Sequence, residues 1–331
     1  MKPVLPIRLC AVAIALLLSV LTTICLPTLV AAQCSNACVA NECPRDIWLI
    51  DTRDIGECDC DLAKAKFWRL EGNCNWIAET ETSFLSTLEP SSTINLQLPG
   101  YLTSEKLSIE HLWKMRFKVE EQAKCRGLGC PDYRSVMWLW PSTKNQFGIV
   151  RDTREKAERA NFEGILLAKF LAKFPGEIQV NLVGYSLGAR IATSAAHHLA
   201  LGGPLTPTSK VRLTAVLIAA AVDAEWLDQC QPHSLALQRF ERALIFTNCK
   251  DRLLLRYRFI NRNRNSPALG LAGLLMPNSE GAAHVTQWEV HHFVGRHHNW
   301  LRYIETPEIM SAIAEYALFL HDTPTANVPR R

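Results

Sequence analysis

The chain has little imbalance of charge: 36 Lys+Arg stand against 32 Asp+Glu in 331 residues, and setting aside Lys2 and Arg8 with the first 32 residues leaves 34 − 32 = +2. A global basic field, the electrostatic footprint of nucleic-acid binding, is thereby excluded. There is no internal repeat and no low-complexity linker, which with the ordinary composition excludes a disordered tail, a collagen or a coiled coil. No paired CxxC occurs and no His lies between Cys34 and Cys74, so a zinc centre in that stretch has no ligand spacing behind it. What is present is 48% apolar and 21% charged residues, the balance of a globular protein. About 300 residues can bury roughly three quarters of the surface of the unfolded chain, enough for one sizeable enzyme domain.

Residues 1–32 read as an export signal. Lys2 and Arg8 make a positive start, Leu9 to Leu26 is almost wholly apolar, and Val30-Ala31-Ala32 supplies small residues ahead of Gln33. That pattern predicts cleavage after Ala32 and a periplasmic, cell-surface or secreted product. The alternative is an uncleaved anchor, since 18 apolar residues nearly span a bilayer. Of the 12 cysteines, Cys10 and Cys25 lie in the leader and ten remain: Cys34, Cys38, Cys43, Cys58, Cys60, Cys74, Cys125, Cys130, Cys230 and Cys249. An even number in an exported chain predicts disulfides, whose pairing spacing alone does not give. Six fall between Cys34 and Cys74, which marks residues 33–90 as a stapled extension packed on a main domain at 91–322, with 323–331 a tail.

Within the extension Ile47 to Ile50 reads as a strand leaving through Asp51-Thr52-Arg53-Asp54. From Thr93 the alternation of elements becomes regular. Strands are predicted at Thr93–Leu98, Ser135–Trp140, Ile178–Val183, Val211–Ala221 and Ala243–Thr247. Helices are predicted over Asp152–Phe174, with Asp152 as cap and Pro175-Gly176 as stop, then Leu187–Leu201, Asp223–Glu241 and Pro307–Leu320. Strands alternating with helices imply an α/β fold, a mainly parallel sheet covered on both faces, with functional groups at the carboxyl ends of strands.

The strongest local signal is Gly184-Tyr185-Ser186-Leu187-Gly188, between a buried strand and a helix. A Ser on so sharp a turn has strained backbone angles, and flanking glycines let the chain bend without clashes. The turn also sets the Leu187 N–H at a helix start, where it can stabilise a developing oxyanion. The run Val180-Asn181-Leu182-Val183-Gly184-Tyr185-Ser186-Leu187-Gly188-Ala189 resembles the serine active-site signature of lipases and esterases in the α/β-hydrolase superfamily. The resemblance extends from about Thr93 to Leu320 as an order of elements. It implies a bacterial-type serine hydrolase with an acid and then a His following the nucleophile in sequence.

Two acids qualify: Asp251 after Ala243–Thr247, which is the first choice because the resemblance places the acid on the second strand after the elbow, and Asp223 after Val211–Ala221, which otherwise serves as a helix cap. Five His crowd before the last helix: His284, His291, His292, His297 and His298. Val285–Phe293 alternates as a last strand, so His291 and His292 point to opposite faces. His298, with His297 next, occupies the loop position that the resemblance assigns to the base, and His197-His198 fit packing on the post-elbow helix. The second oxyanion donor is expected at the Tyr101 N–H, in Leu98-Pro99-Gly100-Tyr101, where the superfamily often carries His-Gly.

Pro267–Pro277, apolar and interrupted by glycines, is either a lid or a buried turn. Arg252, Arg256, Arg258, Arg262 and Arg264 form a solvated face or meet an anionic headgroup. The expected activity is cleavage of a small-molecule or lipid ester through an acyl-enzyme, with no metal or organic cofactor in the reaction and with a possible contact to a membrane surface. The competing expectations are a binding protein that keeps the fold without the activity, to which the altered oxyanion loop and the 19 residues between Asp223 and Ala243, too few for a large cap, both point, and an acyltransferase using the same triad. The oligomeric state is open.

Overall fold

The structure is a computed structural model that describes residues 46–56, 59, 61–72, 75–145, 148–203, 209–259, 266–276 and 282–320. The leader, the six cysteines between 34 and 74, Arg262, Arg264 and the tail lie outside them. The chain divides into two units, 1–42 with 71–75 and 43–70 with 76–331. The smaller lies almost wholly outside the described residues, and the larger carries the fold.

Among the described residues nine strands form one sheet in the order β3-β2-β1-β5-β4-β6-β7-β8-β9. They are β1 Asp46–Asp51, β2 Lys66–Leu70, β3 Trp76–Glu79, β4 Thr93–Leu98, β5 Arg134–Leu139, β6 Gln179–Tyr185, β7 Arg212–Ile218, β8 Phe240–Thr247 and β9 Val285–Glu289. Only β2 runs against its neighbours, and every other pairing is parallel. The helices are α1 Glu81–Ser86, α2 Glu105–Cys125, α3 Ile149–Leu171, α4 Leu187–Leu201, α5 Ala236–Arg239, α6 Leu269–Ala272, α7 His291–Val294, α8 Trp300–Ile304 and α9 Pro307–Ala317. This is an α/β architecture, a mainly parallel sheet with helices on both of its faces.

Strand alternation assigns the helices to opposite faces. On one face Trp138 of β5 donates its indole N–H to Glu163 of α3 at 2.8 Å. Where α3 meets α4, a Cβ at Gly164 would collide with the Ser194 side chain and lie 2.9 Å from Ile191 O, so only glycine allows the approach. On the other face Asn95 of β4 donates to the Ala317 carbonyl of α9 at 3.0 Å, and a polar row continues through Asn181 to Thr214. The central strands are otherwise mostly apolar and buried on both faces, as covered parallel strands require.

Three expectations are corrected. The stretch 223–241 is no single helix: it holds a 3-10 turn at Ala224–Leu227, the short α5, and the start of β8. Asp152 does not cap α3, whose N-cap is Gly148. It accepts the Tyr101 hydroxyl and the Asn145 N–H instead. The last strand stops at Glu289, and His291 and His292 open α7 rather than alternating along a strand. Their ring centroids lie 3.7 Å apart. Within the described part of 267–277, α6 is pinned: Leu269 and Gly270 donate to Val222 O and Ala220 O at 2.7 and 2.9 Å, so this piece is a buried turn and not a lid. Among the described residues no helix is long and apolar enough to cross a membrane.

Candidate active site

The chain leaves β4 for β5 on one side and later crosses to β6 on the other, so the strand order reverses between β4 and β6. In an open parallel sheet such a switch point leaves a crevice outside the carboxyl ends of the two strands. Ser186 follows β6 and Pro99-Gly100-Tyr101 follow β4, so both lie at that crevice.

Ser186 has φ 54° and ψ −118°, a left-handed conformation that costs about 1–3 kcal/mol for a residue with a side chain. Its surroundings hold it there. Its N–H donates to Ile218 O at 2.9 Å, and its carbonyl accepts from Ala221 and Ala189 at 3.0 and 3.1 Å. The glycines have identifiable work: a Cβ at Gly184 would lie 2.6 Å from Ala189 Cα, and one at Gly188 2.6 Å from the Leu98 carbonyl carbon.

The Ser186 hydroxyl lies 2.9 Å from Nε2 of His298, and Nδ1 of His298 lies 2.8 Å from Oδ2 of Asp251. The other oxygen of Asp251 accepts the N–H groups of Leu253 and Leu254 at 2.8 and 3.0 Å. Asp251 is fully buried and His298 nearly so, which keeps the local dielectric low. A hydroxyl, an imidazole bonded through both nitrogens and a carboxyl thus stand in series, the arrangement through which a proton can leave the hydroxyl.

Leu187 is the first residue of α4, so no carbonyl one turn back accepts its N–H. Across the crevice a Cβ on Gly100 would lie 2.9 Å from Ser186 Cβ, so that loop touches the serine. Tyr101 is anchored by its hydroxyl on Asp152, and burial, then that bond, raises its pKa to about 12. The next residue is committed elsewhere, since the Leu102 N–H donates to Ser142 O at 2.9 Å.

The other sequence candidates lie apart from this chain of bonds. His297 is exposed. His197 accepts the Leu235 N–H at 3.2 Å through Nδ1, a packing role. Asp223 is buried beneath the elbow helix, 3.6 Å from the Arg190 guanidinium, which also donates to Tyr257 and Ala221 O and lies 4.4 Å over the Trp226 ring. Burial raises the Asp223 carboxyl to about 6, with Arg190 opposing. It makes no side-chain cap bond to the turn that follows.

Three residues to which sequence reasoning assigns no such role hold the base in place. Tyr185 donates its hydroxyl to the His298 carbonyl at 3.1 Å, Asn248 donates its amide to Gly295 O at 2.9 Å, and the Arg252 N–H donates to Arg296 O at 3.3 Å. Tyr185 sits inside the motif, between Gly184 and Ser186, and Asn248 directly follows β8. Their positions were a signal; their partners, about 45 to 115 residues away, were not.

No protein-family model matches the chain, and no curated protein sequence does. Among solved structures the chain aligns with two crystal structures of esterase B from Lactobacillus rhamnosis, one inhibited by a C4-C4 SN3 tributyrin phosphonate and one C6-C4 SN3 inhibited. Both are 11% identical and cover 88% of this chain, with 93% and 94% of the esterase covered and TM-scores of 0.35 and 0.32.

Proposed function

We propose that the protein is a serine hydrolase that cleaves carboxylic esters, with Ser186 as nucleophile, His298 as base and then acid, and Asp251 as the carboxylate that orients the imidazole. The observation that carries this reading is the unbroken contact from the Ser186 hydroxyl through both nitrogens of His298 to Asp251, on a serine held at φ 54°.

The steps follow from that geometry. A neutral His298 takes the Ser186 proton at Nε2 as the oxygen attacks the ester carbonyl, and the oxyanion is held by the N–H groups of Leu187 and Tyr101. The imidazolium, stabilised by Asp251, returns the proton to the leaving alcohol as the C–O bond breaks, leaving an acyl-Ser186. Water, deprotonated by the same imidazole, then attacks the acyl carbon and releases the acid, restoring the hydroxyl. No step draws on a group outside these side chains and backbone amides. The buried position of Asp251 serves this chemistry, because the His–carboxylate interaction strengthens where water is excluded.

The apolar start of the chain and its cysteines extend the proposal to an exported enzyme with disulfides in its extension; sequencing of the mature product tests it, with Gln33 as the expected first residue. The activity is tested by fluorophosphonate labelling and p-nitrophenyl ester turnover in wild type, Ser186→Ala, Asp251→Asn and His298→Ala. Labelling confined to Ser186, with turnover reduced about 10⁴-fold or more in each variant, supports the reading. Folded protein that takes no label overturns it and leaves a binding protein on the same fold.

A further inference from the structure

A second histidine lies close by with different geometry. His291, at the start of α7, has Nδ1 3.0 Å from Oε1 of Glu289 and 3.9 Å from Sγ of Cys249. The donor atoms of these three residues lie within 4.8 Å of one another. Cys249 follows β8 and Glu289 ends β9, adjacent parallel strands paired through Thr247 and Glu289, so the cluster bridges two neighbouring strand ends.

Two readings compete for such a Cys, His and Glu set. A nucleophile relay needs its partners on opposite ring nitrogens, as His298 has them. His291 instead presents one nitrogen, Nδ1, to both the sulfur and the carboxylate. Three different Lewis bases converging on one point is the arrangement of a chelate. A tetrahedral zinc ion, with Zn–S about 2.3 Å and Zn–N and Zn–O about 2.0–2.2 Å, puts S and N about 3.6 Å and N and O about 3.3 Å apart. The two separations from Nδ1, 3.9 and 3.0 Å, lie a few tenths of an ångström from those values, and the third, from the Cys249 sulfur to the Glu289 carboxylate, is within 4.8 Å, so a side-chain adjustment of about an ångström closes the set on an ion.

The carboxylate is also oriented in advance. Oε2 of Glu289 accepts the Cys249 N–H at 3.2 Å and Oε1 accepts the His291 N–H at 2.9 Å, so its two backbone donors come from the two other members of the set. Outer hydrogen bonds of this kind fix ligand orientation in metal sites. Cys249 carries a free, exposed thiol and Glu289 is part exposed, so a cation has a path in.

We propose that Cys249, Glu289 and His291 bind one borderline-soft divalent cation of the zinc type, with a water completing four-fold coordination. Thiolate and imidazole together select zinc-like ions over calcium or magnesium, which favour oxygen ligands. Binding releases the thiol proton, since only the thiolate ligates. Because Cys249 lies two residues before Asp251 and His291 seven before His298, the ion cross-links the two loops that carry the proposed acid and base. It stands outside the reaction, and the site holds whether or not Ser186 is a nucleophile.

The test is calorimetric titration of Zn²⁺ into the full chain, purified in degassed buffer, without any substrate, beside Cys249→Ser, His291→Ala and, as a control, the exposed thiol variant Cys125→Ser. Co²⁺ is added in parallel to read the thiolate-to-cobalt charge-transfer band. The expected result is one Zn²⁺ per chain in wild type and in Cys125→Ser, with affinity falling in Cys249→Ser and His291→Ala by more than the roughly 10- to 100-fold that loss of an outer hydrogen-bond partner costs, and with the cobalt band absent in Cys249→Ser. Absence of Zn²⁺ binding to wild type overturns the site. So does binding that survives either ligand variant unchanged, which would assign the ion to other cysteines. Circular dichroism on each variant separates loss of a ligand from loss of fold.

Discussion

The elbow gives the sharpest expectation, because the residue that shapes it is separate from those proposed to react. Gly188 lies in the first turn of α4, under the end of β4. Replacing it with Ala sets a Cβ into the Leu98 carbonyl, 2.6 Å from its carbon and 3.0 Å from Pro99 O. Ordinary contact begins at 3.4 Å, so the carbonyl carbon has to retreat by at least 3.4 − 2.6 = 0.8 Å. All the obstructing atoms are backbone, so no side-chain rotation relieves them. The moving segment is Leu98-Pro99-Gly100-Tyr101, the loop that carries the second proposed oxyanion donor. Overpacking of this kind costs about 1–3 kcal/mol of stability. A displacement near 1 Å in a group that positions the reaction costs about 100-fold in turnover. The assay is p-nitrophenyl ester turnover with a thermal melt on Gly188→Ala and on Gly56→Ala, whose added Cβ meets only Asp59 Cβ at 4.0 Å. Gly188→Ala is expected to lose both activity and stability and Gly56→Ala neither. A Gly188→Ala protein with wild-type turnover and melting temperature would refute the account of the elbow and of the loop packed on it.

Other consequences are measurable. Tyr185→Phe removes the bond to the His298 carbonyl, worth about 0.5–1.5 kcal/mol, and should lower kcat by up to about tenfold with KM unchanged; an unaltered kcat would show that the base is held by other contacts. Glu163→Ala leaves the Trp138 indole N–H buried without its acceptor and the Arg159 guanidinium buried without its counter-charge, so urea denaturation should show a loss of about 3–5 kcal/mol, and a loss under 1 would refute the role assigned to this pair. Asp223 holds its proton up to about 6 when folded, against an ordinary 3.8, so the native state binds more protons than the unfolded chain between those values and stability falls as pH rises through them. Relative to Asp223→Asn, wild type should lose about 2 kcal/mol between pH 4 and 7. Parallel stability curves for the two proteins would refute the assignment.

How much was legible in advance depended on the range of the interactions involved. β4 and α4 fall where the pattern placed them, at Thr93–Leu98 and Leu187–Leu201, because Pro99-Gly100 and the elbow are local punctuation. The long α2, at Glu105–Cys125, went unread: it buries Arg116 and Glu120 as an ion pair at 2.6 Å beside Trp113 and Met115, so its inward face is not simply apolar. β2 and β3 were missed for a related reason, since they edge the sheet and show only partial burial. The end of β9 was misplaced because His291 and His292 continue the alternation by composition. Glu289 turns its carboxylate back onto the His291 N–H, and the chain coils there instead.

The choice between the two aspartates shows where sequence periodicity stops informing. Both follow the carboxyl ends of successive parallel strands, both are fully buried, and local spacing treats them alike. They are separated by what the chain does after β9. The His298 loop returns toward the β8 side, held by Asn248 on Gly295 O and by the Arg252 N–H on Arg296 O, both contacts made by residues flanking Asp251. Asp223, one strand nearer the elbow helix, faces Arg190 of α4 instead. Its buried carboxyl therefore meets a cation that cannot lose its charge, while that of Asp251 meets an imidazole that can gain one. Exchanging the surroundings would exchange the chemistry: a carboxylate locked to a guanidinium has little charge to lend a transient imidazolium, whereas one held by two backbone N–H groups keeps an oxygen for it. The proposed acid is thus fixed by contacts spanning about 45 residues of sequence, and it is the partner across each aspartate, more than the aspartate or its strand, that decides which of them can orient a base.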